Sequence, residues 1–310
     1  MLDANWTGLG WYARGWLGDR QMGKGVIYGE PQPWAILAGA PDGDQAATLV
    51  ANIRRFLTGI GAPGGPSRIG SAMAPSRKDP EITEKGPSID PTYTLPDMLG
   101  LLLENVPNAP FAGAAAYPGG VWFDINGHLT WALSELDGLV PGAAELAWDE
   151  YTRNTLARHA AEFPDHWNGT ISIDDACNAW YSSDPSRCGI GIPFWIGQIT
   201  EQPTWMVMNA IRLAGVTPTR DGYRIAPHLP QETFNLRFER VGVSREPGTV
   251  RGYVTPERDG PIELRVKLAG GGAPQAYADG EPVAHTVEDG YAVFTGQGSA
   301  DEPLDWAVGF

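Results

Sequence analysis

The sequence has few basic residues. Lysine and arginine together number 22, against 37 aspartates and glutamates, so the formal net charge is −15 at pH 7. Nucleic-acid phosphates and anionic membrane surfaces repel such a chain, so we expect neither a nucleic-acid partner nor a membrane partner. An uncharged or cationic ligand is compatible with this charge.

Cysteine is also scarce, since only Cys177 and Cys188 are present. No second Cys or His pair accompanies them to complete a zinc site, so we expect no metal and no cofactor. Either a disulfide between the two or a pair of unpaired thiols is compatible with their spacing.

Long apolar runs are missing as well. No window of about 18 apolar residues is present that could span a bilayer. The first residues, Met-Leu-Asp-Ala-Asn-Trp, have neither the basic start nor the apolar run of a signal peptide. This predicts a cytoplasmic protein, unless the sequence is the later part of a longer one, in which case the compartment is unknown.

Glycine, proline and tryptophan are abundant, with 40, 27 and 12 residues respectively. The glycines and prolines predict long, elaborate loops. Many tryptophans in an acidic chain favour a sugar ligand, because the apolar C–H faces of sugars stack on indole rings while carboxylates accept hydrogen bonds from their hydroxyl groups.

Helical periodicity dominates the first two thirds of the sequence. It begins near Pro33, which suits a first helical turn, and predicts helices at 44–57, 95–104, 125–136, 143–159 and 200–213. The helix that begins near Pro33 forms a predicted helical hairpin with 44–57, and 125–136 forms a second one with 143–159. Long Gly- and Pro-rich loops are predicted at 58–94 and 106–124.

The period changes from 3.6 to 2 after Asp221. Alternating strands follow, and Asp-Gly pairs at Asp259, Asp279 and Asp289 separate some of them as hairpin turns. We therefore predict a mainly α domain at 1–220 and a small antiparallel β-sandwich at 221–310.

Three stretches resemble the C-terminal half of glycoside hydrolase family 94, whose members are cellobiose-phosphorylase-like. The first is Gly10-Trp-Tyr-Ala-Arg-Gly-Trp16 with Pro31-Gln-Pro-Trp-Ala-Ile-Leu-Ala-Gly39. The second is Tyr117-Pro-Gly-Gly-Val with Asn126-Gly-His128 and Trp131-Ala. The third runs from Trp205-Met through Leu213-Ala-Gly-Val-Thr-Pro to Asp221-Gly-Tyr-Arg-Ile-Ala-Pro-His-Leu-Pro230. This resemblance implies an (α/α)6 barrel, as in six-hairpin glycosidases, followed by a β domain.

The sequence departs from that family at two places, and each departure changes the expected fold or chemistry. The family's general-acid aspartate lies in a Asp-Trp-Asn-Asp passage before the first stretch, and these 310 residues contain no such passage. We therefore expect an incomplete barrel and an N-terminally truncated fragment, whose missing half or a second copy of the chain would be a partner. The family's phosphate-binding Thr-Gly-Thr is replaced by Gln198-Ile-Thr-Glu-Gln-Pro-Thr-Trp205.

Glu201 is the predicted catalytic residue. Related inverting glycosidases carry their general base in a similar Glu-Gln context, and inverting hydrolysis needs a carboxylate that activates water. A carboxylate there would also repel a phosphate anion. The structural alternative is a first-turn residue that suits the helix dipole.

The remaining candidates are residues that offer a sugar an aromatic face or a polar group. His128 matches a family histidine that contacts phosphate, and in a hydrolase it could hydrogen-bond a sugar hydroxyl. The predicted substrate-binding residues are Trp11, Arg14, Trp16, Gln32, Trp34, Trp122, Asp124, His128, Asp165, Trp167, Asp174, Asp175 and Gln202. Core packing, loop turns and surface ion pairs are their structural alternatives.

These observations favour an enzyme that hydrolyses glycosidic bonds of an oligosaccharide or polysaccharide with inversion. Two alternatives stay open, namely phosphorolysis and a non-catalytic fragment that binds carbohydrate because its general acid is missing. The strand-rich segment shows no comparable cluster, and we expect it to pack against the barrel.

Overall fold

A computed structural model of the chain describes residues 3–24, 27–58, 120–155, 157–158, 161, 176–178, 202–269 and 273–310. The chain divides into two compact units, Met1–Asn209 and Ala210–Phe310.

The first unit contains short helices and two small antiparallel strand pairs. Its helices are α1 (Pro31–Leu37), α2 (Gly43–Ile53), α3 (Phe123–Glu135), α4 (Ala143–Arg153) and α5 (Gln202–Leu213), the last of which continues into the second unit. A 3-10 turn at Asp3–Asn5 begins the described chain, and a π-helical turn at Arg54–Thr58 follows α2. Strands β1 (Gly15–Leu17) and β2 (Arg20–Met22) pair antiparallel, as do β3 (Gly120–Trp122) and β4 (Ala176–Asn178).

Local sequence accounts for α2. Asp42 caps the helix by accepting from the Gln45 backbone N–H at 2.8 Å, while the Gln45 side chain accepts from the Asp42 backbone N–H at 3.2 Å. This reciprocal capping box satisfies two N–H groups that the first turn would otherwise leave unpaired. The apolar residues follow at helical spacing and are buried: Ala46, Leu49, Val50 and Ile53.

Helices α3 and α4 form an antiparallel hairpin with facing apolar stripes. On α3 the buried residues include Leu129, Ala132 and Leu133, and the buried Leu136 follows directly after the helix. On α4 they are Ala143, Leu146, Ala147 and, at the next position of the same stripe, Glu150. The Arg54 guanidinium donates to the Gly142 carbonyl at 3.0 Å and so joins the start of α4 to the end of α2.

The second unit is built from two sheets. Its strands are β5 (Val216–Pro218), β6 (Gly222–Ile225), β7 (Phe234–Arg237), β8 (Val241–Glu246), β9 (Thr249–Val254), β10 (Gly260–Lys267), β11 (Gln275–Ala278), β12 (Glu281–Val283), β13 (His285–Glu288), β14 (Tyr291–Gly298) and β15 (Leu304–Gly309). One sheet has five strands in the order β13-β14-β10-β6-β5. The other has six in the order β12-β11-β15-β9-β8-β7.

A single apolar core belongs to these strands. Its large members include Ile225, Leu264, Phe294, Leu304 and Trp306, each almost fully buried. Alternation along the strands supplies them, since every second residue of a strand faces the same side of its sheet. Among the described strands, all pairs are antiparallel except β6 with β10, which run parallel.

The prediction of a mainly α fold is wrong. The described chain is mixed α/β, because its helices are short while strands fill its last third and also pair within the first unit. The strands of the second unit begin at Val216, just after α5 ends and Gly215 adopts a left-handed φ of 72°. The described helices do not make up a barrel, and the predicted helix at 95–104 lies outside the described residues. The predicted antiparallel sandwich also needs correction, since β6 and β10 are parallel.

None of the helices described is both long enough and apolar enough to cross a membrane.

Candidate functional site

His128 lies between two tryptophan rings in the first unit. The ring centroids of His128 and Trp34 are 4.3 Å apart, and those of His128 and Trp205 are 4.1 Å apart. Trp34 comes from α1, His128 from α3 and Trp205 from α5, so three helices meet at one imidazole. We call these three residues the aromatic cluster.

The middle of α3 is shaped to receive Trp205. A Cβ atom at Gly127 would lie 2.7 Å from Cγ of Trp205 and 2.8 Å from its Cδ2. The indole therefore lies directly on the α3 backbone, where no other residue would leave it room. Sequence reasoning did not include Trp205 among the site residues, and the signal that could have found it is this glycine inside a helix, directly before His128.

The cluster presents an open aromatic surface. Trp34 is 48 % exposed although its ring contacts His128. An indole face of this kind can stack on the C–H face of a sugar, while an imidazole supplies hydrogen-bonding nitrogens beside it. Two of the predicted substrate-binding residues, Trp34 and His128, are thus brought together although 94 residues separate them.

A buried carboxylate anchors the helix that carries His128. Glu150 is fully buried and accepts hydrogen bonds from the Asn126 side-chain amide and from the Arg153 guanidinium, the latter at 3.0 Å. Arg153 also pairs with Asp149 at 2.9 Å. Because a buried charge is stable only when it is paired and hydrogen-bonded, this network fixes α3 against α4 two residues before His128. Sequence reasoning missed Asn126 and Glu150; a glutamate at an apolar position of the α4 stripe was the available signal.

The segment before α1 is held by side-chain bonds to the backbone. The fully buried Gln32 amide donates to the carbonyls of Tyr12 and Tyr28, at 2.9 and 2.8 Å, and accepts from the Tyr12 N–H at 2.9 Å. Trp11 is buried, and its indole N–H donates to the Gly23 carbonyl at 3.1 Å. Both predicted binding residues therefore shape the loop that leads to Trp34.

Arg14 and Trp16 have different surroundings. The Arg14 guanidinium pairs with Glu30 at 2.7 Å and lies 5.5 Å from the ring centre of Tyr28. Trp16 is 51 % exposed on the β1–β2 hairpin, and its indole N–H donates to the Asn5 side chain at 2.6 Å. Trp16 thus offers a second open indole, whereas the charge of Arg14 is already neutralised.

For three further predicted residues the structure gives only the secondary-structure element to which they belong, and the rest lie outside the described residues. Trp122 lies in β3, Asp124 lies in the first turn of α3, and Gln202 begins α5. Glu201, Asp165, Trp167, Asp174, Asp175 and Cys188 lie outside the described residues. Within the described part of the chain, no three His, Cys, Asp or Glu side chains are grouped so as to hold a metal ion.

No known family model matches the sequence, and no match was found among curated proteins. Among solved structures, a GH127 β-L-arabinofuranosidase from Geobacillus stearothermophilus T6 is 14 % identical with a TM-score of 0.30, over 89 % of this chain and 39 % of that one. An α-L-rhamnosidase from Dictyoglumus thermophilum is 8 % identical with a TM-score of 0.27, over 61 % and 31 %. A GH127 β-arabinofuranosidase is 9 % identical with a TM-score of 0.22, over 69 % and 48 %.

These solved structures are glycoside hydrolases, and the chain spans less than half the length of each. At such identities and TM-scores the similarity assigns neither a family nor a function.

Proposed function

We propose that the chain binds a neutral oligosaccharide or polysaccharide at the aromatic cluster and takes part in hydrolysing its glycosidic bonds with inversion. The observation that carries this proposal is the half-exposed Trp34 ring, which packs against His128, whose other contact is the ring of Trp205. An exposed indole that is held rigidly by neighbours loses little freedom on binding, and so it stacks on a sugar ring at low entropic cost.

The negative net charge of the chain favours an uncharged ligand over a polyanion. With a net charge of −15, the chain repels polyanions at long range, while a neutral glycan experiences no such repulsion. Arg14 lies near the start of α1 but already pairs with Glu30, so it does not provide an unpaired cation for a phosphate.

The proposed roles of the residues with described side chains follow from their surroundings. Trp34 and Trp16 are the stacking surfaces, and His128 bonds a sugar hydroxyl. Trp11 and Gln32 hold the loop before α1 in place. Asp124, Trp122 and Gln202, together with Asp165, Trp167, Asp174 and Asp175, are proposed to complete the substrate contacts.

Glu201 is proposed as the general base, directly before α5, the helix that carries Trp205. In the proposed step its carboxylate takes a proton from water, whose oxygen attacks the anomeric carbon, while an acid protonates the departing glycosidic oxygen. The resemblance to family 94 puts that acid in a passage that these 310 residues do not contain. The catalytic test therefore supplies such a passage by fusion or co-expression.

Binding is tested by titrating tryptophan fluorescence with neutral oligosaccharides derived from arabinan, xylan and galactomannan. We expect Trp34→Ala to weaken binding about tenfold, through loss of a stacking face. Trp148→Ala is the matched control, because Trp148 stacks on Tyr151 on α4, with ring centroids 5.7 Å apart, outside the aromatic cluster. Equal affinities of the two variants, or no sugar-dependent change at all, would contradict the binding site.

Catalysis is tested on the completed protein with and without inorganic phosphate. We expect Glu201→Gln to lower turnover by about 10²–10⁴-fold, the usual contribution of a general base, while sugar binding is retained. Added phosphate should not accelerate the reaction. Production of a sugar 1-phosphate would replace hydrolysis by phosphorolysis, and full activity of Glu201→Gln with water would place the base elsewhere, with Asp174 and Asp175 the next residues to test.

A further inference from the structure

The outward face of the six-stranded sheet contains a groove of about 520 Å³. Along β9, Val250 and Val254 enter the core, so Arg251 and Tyr253 between them face outward. The same alternation makes Asn235 and Arg237 of β7 and Asp305 of β15 exposed. The groove therefore lies on the side of the sheet opposite the apolar core.

Strand register arranges the outward residues in two rows. One row crosses five strands through Asn235, Ser244, Arg251, Ala307 and Tyr277. At an interstrand spacing of about 4.8 Å, that row is roughly 19 Å long. The second row crosses four strands through Arg237, Gly242, Tyr253 and Asp305.

Because Gly242 has no side chain, the ring of Tyr253 can lie against the backbone of β8 in the groove. A Cβ atom there would be 2.2 Å from Cε1 of Tyr253, so the ring occupies the space of the absent side chain. The Tyr253 hydroxyl donates to the Phe238 carbonyl, which fixes the far end of the ring. The Arg237 guanidinium lies 5.6 Å from the ring centre, and the two side chains together form one wall.

Polar groups in the groove are left available for a ligand. Arg251 pairs with Glu246, but Arg237 forms no ion pair within the described part of the chain. The exposed Asp305 carboxylate likewise has no hydrogen-bond or ion-pair partner among the described residues, although its backbone N–H is bonded to Asp279. Tyr277, whose hydroxyl donates to Gln275 at 2.8 Å, supplies a second aromatic ring at the other end of the longer row.

We propose that this groove is a second binding site, for a short neutral oligosaccharide, separate from the aromatic cluster. Sugar rings present C–H faces to aromatic side chains and hydroxyl groups that both donate and accept. Tyr277 and Tyr253 match the faces, Arg237 donates, and Asp305 accepts. The volume lies within the range of small-ligand sites. A carboxylate in the lining and a net charge of −15 disfavour a polyanion.

The test is native affinity electrophoresis of the whole chain in gels containing arabinan, xylan, galactomannan or, as an acidic probe, polygalacturonate. The starting protein carries Trp34→Ala, so that retardation reports on the groove rather than on the aromatic cluster. We expect at least one neutral polysaccharide to retard it, and Tyr277→Ala or Arg237→Ala, added singly, to weaken that retardation about tenfold.

Matched controls come from the outward face of the other sheet. Tyr291→Ala on β14 and Arg265→Ala on β10 remove the same side-chain types and should leave retardation unchanged, because Ala292 and Val266 beside them point into the core. Circular dichroism spectra like that of the starting protein would show that a variant is folded.

Three results would overturn the proposal. They are no retardation by any neutral polysaccharide, retardation by polygalacturonate alone, and equal losses in the groove and control variants. A dimer that dissociates in the groove variants and is unaffected by sugar would show that a second copy of the chain, rather than a glycan, occupies the face. A failure here leaves the fluorescence titration of the Trp34 site unaffected, so the two proposals are separable.

Discussion

At the scale of single residues, Gln32 shows how one buried amide can hold two separate backbone segments together. Its amide serves three backbone groups of Tyr12 and Tyr28, which lie 20 and four residues before it. The chain between them holds β1, β2 and Arg14. Trp34 follows Gln32 by two residues on α1. The same bonds therefore help to fix the position of the exposed Trp34 indole.

Replacing Gln32 with leucine should therefore destabilise the protein strongly. The substitution removes all three bonds, and a buried backbone group that loses its partner costs about 1–3 kcal/mol. We expect a loss of about 2–4 kcal/mol in the free energy of unfolding, measured by urea denaturation.

Gln21→Leu is the matched control. Gln21 is on the surface and donates once, to the Ala4 carbonyl at 3.1 Å, so its loss should change stability by no more than about 0.5 kcal/mol. Equal effects of the two substitutions would mean that the Gln32 amide does not hold this loop.

At the scale of secondary-structure elements, Gly127 sets intrinsic helix propensity against packing. Glycine inside a helix is about 1 kcal/mol less favourable than alanine. At Gly127 an added Cβ would overlap the Trp205 ring, with contacts of 2.7–2.9 Å to Cγ, Cδ2 and Cβ of the indole. Packing should outweigh propensity here, since the overlapped atoms are at the base of the side chain.

Gly127→Ala should thus lower the melting temperature, although it improves the isolated helix. We expect a loss of about 1–3 kcal/mol, typical of overpacking, together with weaker sugar binding because Trp205 is displaced from His128. Gly43→Ala on α2 meets no atom within 4 Å and should be neutral or slightly stabilising. A melting temperature raised by both substitutions would show that Trp205 does not pack on α3.

The positions of the helices and strands could largely be predicted from the sequence, because they depend on local patterns. The periodicity at 125–136 corresponds to α3, and that at 200–213 to α5. Asp279-Gly280 and Asp289-Gly290 have left-handed φ values of 49–81° and connect β11 to β12 and β13 to β14, as type I′ hairpins require. Asp259-Gly260 differs, since the strands on its two sides belong to different sheets.

Contacts between distant segments could not be predicted in the same way. No local sequence pattern predicts that Trp205 lies on Gly127, or that Tyr277 and Asn235 share a row across five strands. The sequence alone did not show that aromatic residues of the strand-rich segment lie together, because only the strand register brings them to one face. The mainly α expectation was wrong because it gave the strands after Val216 too little weight and did not include the strand pairs β1–β2 and β3–β4 of the first unit.

At the scale of the whole molecule, the second unit contains its own core. All sixteen residues of that core lie between Ala214 and Val308. Two of them, Ala214 and Val216, precede the boundary at residue 220 that the sequence predicts, and Val216 belongs to β5 at the edge of the five-stranded sheet. Backbone bonds from Ala226 to Gly215 and from His228 to Leu213 hold this segment in place.

A fragment of residues 210–310 should therefore fold cooperatively alone and be more stable than a fragment of residues 221–310. The shorter fragment loses β5 and exposes the edge of β6. It also loses the burial of Val216, which is worth about 1.5–3 kcal/mol, so we expect its unfolding free energy to be lower by at least about 2 kcal/mol. Urea denaturation followed by circular dichroism measures both. Equal stabilities would support the boundary at residue 220, and a fragment of residues 210–310 without a cooperative transition would mean that the core depends on the first unit.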